Sequence, residues 1–149
     1  MLVRDVMART VRTVKPEDTI RTVAATICTQ DITGLPVVDD DNNLIGLISE
    51  KDVLHSLLPD YKEYLDDPIG ARDFEAMEAS YPAVLNKQVK DLMTPKPFSV
   101  TSDCPVLMAA TRMTLHRFRR IPVVDGGKLV GIVTLGDIHK AIFKVTLGL

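Results

Sequence analysis

The chain is written twice. Setting "VRDVMARTVRTVKPEDTI" from Val3 beside "VKDLMTPKPFSVTSDCPV" from Val89 places Val3, Asp5, Met7, Val14 and Ala24 on Val89, Asp91, Met93, Val100 and Ala110 without change, at an offset of 86 residues. Further on, "GLPVVDDDNNLIGLISEKDVL" meets "RIPVVDGGKLVGIVTLGDIH". There Gly46 falls on Gly131, an offset of 85, so one residue is lost in the turn. A length difference of this kind belongs in a surface turn. Whatever unit one copy forms, the chain must form it again.

Each copy reads in the same order. A short strand ("VRTV" or "PFSV") leads through turn residues to an amphipathic helix. In the first copy the apolar positions Ile20, Val23, Ala24, Ile27 and Cys28 trace one buried face; in the second, Val106, Ala109, Ala110 and Met113 do, with Pro105 suited to the first helical position. An apolar β-branched run follows, "LPVV" or "IPVV". A polar turn, "DDDNN" or "DGGK", connects it to a second run, "LIGLI" or "LVGIV", and the pair predicts a hairpin. A second helix closes the copy, carrying Val53, Leu54, Leu57 and Leu58, or Ile138, Ala141, Ile142 and Val145.

The expected fold class is therefore α+β, two β-α-β-β-α repeats at 1–58 and 89–149 with an insertion at 59–88. One copy of about sixty residues buries too little apolar surface to be comfortable alone. Two copies packed sheet to sheet as a pseudo-twofold module, with one shared core, solve that problem. Within the insertion, "ARDFEAMEASY" places Phe74, Met77 and Tyr81 at helical spacing, which predicts a short helix on the surface or against a partner.

The junction between hairpin and second helix is the chemically suggestive point. "GLISEKD" and "GIVTLGD" each put a hydroxyl residue, two spacers and an Asp where a strand meets a helix: Ser49 with Asp52, and Thr134 with Asp137. This is the pattern of a capping box, in which hydroxyl and acid satisfy orphan amides of the first turn. The box usually carries Glu or Gln. The shorter Asp leaves the carboxylate open to another use.

Composition narrows the classes of partner. Eighteen basic and twenty acidic residues give a formal charge of −2, so no chain-wide field holds nucleic acid or an anionic membrane. The opening "MLVRDVMART" lacks a continuous apolar stretch, and nowhere do eighteen apolar residues run together, so no signal peptide or membrane span is read. Cys28 and Cys104 lie far apart, which argues against a disulfide framework and a thiolate cage. Both read as buried or half-buried thiols in a reducing, cytoplasmic setting. His55, His116 and His139 share no metal-ligand spacing and read as solvated, so no metal site is assigned. Asp39, Asp41, Asn43 and Glu50 match part of a calcium-loop spacing. The sixth position, however, is Leu44 rather than Gly and strands flank the stretch, so a plain hairpin turn is favoured. Met7 and Met93 open their repeats symmetrically and read as packing residues.

Taken in order and twice over, the "RDVM" and "KDLM" openings, the "LPVV" and "IPVV" strands and the "GLISEKD" and "GIVTLGD" junctions resemble a tandem pair of cystathionine-β-synthase (CBS) domains, a Bateman module. The resemblance implies a non-catalytic regulatory module. It implies adenosine-containing ligands (AMP, ADP, ATP or S-adenosylmethionine) in two clefts between the repeats, pairing into a homodimer, and control of a partner that the sequence does not name. By the resemblance, Asp52 and Asp137 would accept the two ribose hydroxyls, while Ser49 and Thr134 would contact phosphate or sugar at a helix start. The cleft of Asp137 would comprise Ile32, Thr33, Gly34, Arg120, Ile132, Thr134 and Asp137. That of Asp52 would comprise Phe118, Arg119, Arg120, Ile121, Ser49 and Asp52.

The copies differ in charge: "RFRRIP" gives Arg117, Arg119 and Arg120 where the first copy has "DITGLP". Guanidinium forks suit phosphate oxygens, which favours a phosphorylated nucleotide over S-adenosylmethionine with its cationic sulfonium. Two other classes compete: a ligand-free dimerisation or scaffold module, and an enzyme. The chain shows no nucleophile with a paired base, no metal cluster and no P-loop, which places the enzyme reading last.

Overall fold

The computed structural model describes residues 1–58, 61–67, 69–70 and 73–149. The chain divides into two compact units: unit 1 comprises Met1–Arg12, Asp40–Leu44 and Pro97–Leu149, and unit 2 comprises Thr13–Asp39 and Ile45–Lys96. The units do not follow the repeats. Residues 1–12, which open the first repeat, fold with the body of the second, and residues 89–96, which open the second, fold with the body of the first.

Unit 2 runs through α1 (Ile20–Gln30), β1 (Gly34–Val38), β2 (Leu44–Ser49, its first residue counted in unit 1), α2 (Glu50–His55), α3 (Tyr61–Asp66), α4 (Phe74–Val84), α5 (Val89–Leu92) and β3 (Thr94–Pro95). Its sheet has the order β1-β2-β3, with β3 antiparallel to β2 and Leu47 opposite Thr94. The core gathers Ile20 and Val23 of α1, Leu35 and Val37 of β1, Ile48 of β2 and Val89 of α5. The first amides of α1 have no partner within the helix. The carbonyls of Lys87 and Leu85 receive the Ile20 and Arg21 amides at 2.8 and 3.0 Å, so the end of the insertion caps this helix.

Unit 1 repeats the plan with a 3-10 turn (Val3–Asp5), α6 (Val106–Leu115), β4 (Arg120–Asp125), β5 (Lys128–Thr134) and α7 (Leu135–Leu147). Strands β4 and β5 form the expected antiparallel hairpin, with Arg120 opposite Thr134 and an irregularity at Val123/Val124. Val106, Ala109, Ala110 and Met113 are buried on one face of α6, as their spacing predicts. Val3 and Met7 complete this core from the other repeat. The "DDDNN" turn apart from Asp39 also belongs to this unit, where the Asn42 side-chain amide donates to the Leu129 carbonyl at 2.9 Å and the Lys128 ammonium to the Asp41 carbonyl at 2.7 Å. Asn42 takes a left-handed conformation, φ 62°, that Asn tolerates better than most residues. Among the described residues no acidic, His or Cys cluster is placed to hold a metal.

Three expectations need adjustment. The buried apolar residues form one cluster in each unit rather than one shared core. "VRTV" and "PFSV" do not form strands; each contributes one parallel bridge, Val14 to Val37 and Val100 to Val123. The carbonyls of Pro36 and Pro122 accept from Val14 and Val100, but neither proline has an N–H to continue a ladder. Cys28 is exposed, because the inward stripe of α1 passes through Thr26, whose hydroxyl donates to the Thr22 carbonyl at 2.8 Å. Cys104 is buried. The helix of the insertion is present as α4, with Phe74 and Tyr81 exposed; Ala71 and Arg72 of the predicted stretch lie outside the described residues, as does Pro59.

The exchanged openings meet the hairpins at glycine. A Cβ built on Gly131 would lie 2.7 Å from the Ala8 carbonyl oxygen and 2.8 Å from Met7 Sδ; one on Gly46 would lie 2.7 Å from Met93 Sδ and 3.1 Å from the Thr94 carbonyl oxygen. A thioether can swing aside, but a bridged backbone carbonyl cannot. Gly131→Ala should therefore cost about 1–3 kcal/mol and Gly46→Ala less, read as urea-unfolding midpoints.

The carboxyl of Asp125, at the end of β4, is held below its ordinary value of 3.8 by hydrogen bonding from the Ser102 side chain and amide, with help from the Arg4 charge. A lowered folded value contributes stability that is complete above the unfolded value and lost as pH falls through the folded one. The urea midpoint should fall more steeply below about pH 4 in the parent than in Asp125→Asn.

Candidate functional site

The two Ser/Thr-x-x-Asp junctions fold alike in backbone and differ in side chain. In unit 2, Ser49 precedes α2 in extended conformation and its Oγ accepts the Asp52 amide at 3.4 Å. Asp52 returns the bond: its Oδ2 accepts from the Ser49 amide at 2.9 Å and the Ser49 hydroxyl at 3.2 Å. Its other oxygen, Oδ1, accepts from the Thr94 hydroxyl at 3.2 Å. The capping box is complete here, and both carboxylate oxygens are engaged.

In unit 1, Thr134 caps α7 through its Oγ1, which accepts the Asp137 amide at 3.0 Å. The Asp137 carboxylate does not return it. Among the described residues nothing donates to that carboxylate, and it lies half-buried. An ionised carboxylate with two open oxygens can accept from two adjacent hydroxyls at once.

Asp137 lies in the first turn of α7. α7 runs for 13 residues, so its N-terminus carries the positive end of a full helix dipole. Gly136 leaves the first turn bare: a Cβ there would meet nothing nearer than Thr134 Oγ1 at 3.9 Å. The equivalent residue of the first repeat is Lys51. Arg119 and Arg120 begin beside this turn, since the Arg119 carbonyl accepts the Leu135 amide at 2.9 Å and Arg120 pairs with Thr134 across the hairpin. Ile132 lies one bridge from Ala8.

The other site candidates are placed within their own units. The Thr33 carbonyl accepts the Glu50 amide at 3.0 Å, and a Cβ on Gly34 would lie 3.4 Å from Ser49 Cβ, so Ile32, Thr33 and Gly34 flank the Ser49–Asp52 junction in unit 2. Phe118, Arg119, Arg120 and Ile121 flank the Thr134–Asp137 junction in unit 1; Ile121 is buried in that core. The crossed assignment of these segments stays an expectation of the resemblance.

Sequence reasoning missed two features. Gly136 was legible as the one bare position in "TLGD" against "SEKD". The second is an exposed aromatic group: His116 lies 4.1 Å from Phe98 and 5.9 Å from Phe118 by ring centroids, the latter pair stacked at 21°. His116 is exposed, as expected, and is also a ring partner at the end of α6. No local spacing links Phe98 to Phe118, so only the fold brings them together.

The sequence profile of the CBS domain matches residues 3–59 and 89–144. The chain belongs to the CBS-domain family. Its structure matches crystal structures of CBS-pair proteins along nearly its whole length. One, CBSX2 in complex with AMP, is 30% identical with a TM-score of 0.74, covering 97% of this chain and 98% of that one. CBSX2 from Arabidopsis thaliana gives a TM-score of 0.78 in a second structure, again at 30% identity, with 98% and 96% covered. Among curated proteins, CBSX1 of Arabidopsis thaliana, a chloroplastic protein, is 32% identical over 145 residues. The match covers 89% of this chain and 59% of CBSX1, so the chain spans about three-fifths of that relative's length. Protein MJ1426 of Methanocaldococcus jannaschii is 31% identical, with 95% and 91% covered. No helix among the described residues of this CBS pair is long and apolar enough to cross a membrane.

The difference between the two junctions has a stability consequence. Asp52→Ala removes three accepted hydrogen bonds and leaves the Ser49 amide without its partner, which should cost about 0.5–2 kcal/mol. Asp137→Ala removes none and should stay within about 0.5 kcal/mol of the parent by chemical unfolding.

Proposed function

We propose that this CBS pair is a non-catalytic regulatory module that binds an adenine nucleotide (AMP, ADP or ATP) and passes its occupancy to a partner protein. The observation that carries the reading is the open carboxylate of Asp137 at the start of α7, beside the Thr134 hydroxyl, the bare Gly136, Arg120 of β4 and Arg119 just before it. The ribose diol would donate to Asp137. The phosphate would meet the α7 N-terminus and the guanidinium of Arg119 or Arg120. The complex of the related CBSX2 with AMP supports the ligand class.

The module's place in other chains supports the regulatory half. The match to an inosine-5′-monophosphate dehydrogenase of Methanocaldococcus jannaschii is 32% identical yet covers only 22% of that chain. The same module is thus carried inside a larger enzyme. A nucleotide that binds one conformation better than another shifts the population toward it, by no more than the ratio of the two affinities.

A homodimer is part of the same proposal. Leu107 and Leu115 on α6 and Phe143 and Leu147 on α7 are 60–75% exposed, an apolar surface of the kind that pairs. Leu115→Glu should convert a dimer to a monomer by sedimentation equilibrium; an unchanged mass would place the interface elsewhere.

Ligands that bind only the folded state raise the melting temperature. AMP, ADP or ATP should do so for the parent and not for Asp137→Ala, and S-adenosylmethionine should do so less. If no adenine nucleotide moves the melt, the scaffold reading replaces this one. Hydrolysis of ATP by the purified protein, lost in the same variant, would restore the enzyme reading.

A further inference from the structure

We propose that Thr94 closes the Asp52 junction to adenosyl ligands, so that the chain has one nucleotide event, at Asp137, rather than two. The inference rests on the nucleotide reading above and adds a residue that decides which motif is open. The Thr94 hydroxyl donates to Asp52 Oδ1 at 3.2 Å, while Ser49 occupies Oδ2 through both its amide and its hydroxyl. A ribose entering there must compete with a hydroxyl already bonded to the oxygen it needs. Exchanging one charge-assisted bond for another returns little.

The other junction lacks the competitor for a reason visible in the duplication. Thr94 pairs with Leu47 across β3 and β2; the equivalent of Leu47 is Ile132, and the residue bridged to Ile132 is Ala8. The two backbones are therefore in the same relation, Thr94 to Leu47 as Ala8 to Ile132. Alanine has no hydroxyl to offer Asp137, whose carboxylate has no donor among the described residues. Two positions that the repeat makes equivalent thus differ by a hydroxyl and a methyl group, and the hydroxyl lies on the ribose-binding group. Both residues are exposed, so either can be exchanged without disturbing a core.

Calorimetric titration of the full chain with AMP tests this. The parent should show one event, abolished by Asp137→Asn and kept by Asp52→Asn. Thr94→Ala should show a second event, which Asp52→Asn in the same chain removes. Ala8→Thr transplants the hydroxyl and should weaken the single event by roughly tenfold or more. Thermal unfolding of each variant without ligand checks that the fold is kept. Two events in the parent, or one that Asp52→Asn removes and Asp137→Asn leaves, would overturn the inference while the nucleotide reading stands. So would a Thr94→Ala chain with one event, or an Ala8→Thr chain with parental affinity. Silence of both the parent and Thr94→Ala would instead overturn the nucleotide reading itself.

Discussion

Met7 against Gly131 and Met93 against Gly46 are the contacts on which the architecture turns. Each joins the opening of one repeat to the hairpin of the other, where the absent Cβ admits a thioether and a backbone carbonyl. Without Val3 and Met7 the core of unit 1 lacks one wall, and without Val89 and Met93 unit 2 lacks the same wall. Neither repeat owns a complete core. That is a physical reason for the duplication to be kept in one chain: about sixty residues bury too little surface alone, and here each copy also lacks a piece that the other supplies.

The same exchange sets the chemistry of the two junctions. The segment that packs on the hairpin continues into the residue beside the second strand, Ala8 in unit 1 and Thr94 in unit 2. A structural device therefore delivers one side chain to the neighbourhood of each Asp. In unit 2 that side chain completes a capping network, and the carboxylate serves the fold. In unit 1 none of the described residues completes it, and among them Thr134 caps the helix. The capping and ligand uses of one motif are divided between the two copies.

Much of this was legible in the sequence, because the signals were local. Alternating β-branched runs around "DGGK" give β4 and β5, the stripe of Val106, Ala109, Ala110 and Met113 gives α6, and the helical spacing in the insertion gives α4. The exchange of openings was not legible. Val3 aligns with Val89 whichever body it packs on, and an internal repeat says which residues are equivalent without saying which touch. Cys28 came out exposed because a polar residue, Thr26, satisfied its own hydroxyl and took the inward position. The proline in "LPVV" was read as part of a strand; its missing N–H also reduces the preceding segment to a single bridge. The hydroxyl and the Asp of each junction could be picked out by spacing. The engagement of Asp52 by Thr94 spans 42 residues and needs the fold to be seen.

The measurement that bears most directly on the account is amide chemical-shift mapping of the full chain during titration with AMP. The amides of Leu135, Gly136 and Asp137, at the open end of α7, should move saturably while those of Glu50, Lys51 and Asp52 hold their positions. Saturable movement at Glu50 to Asp52 with none at Leu135 to Asp137, or movement at neither, would contradict it.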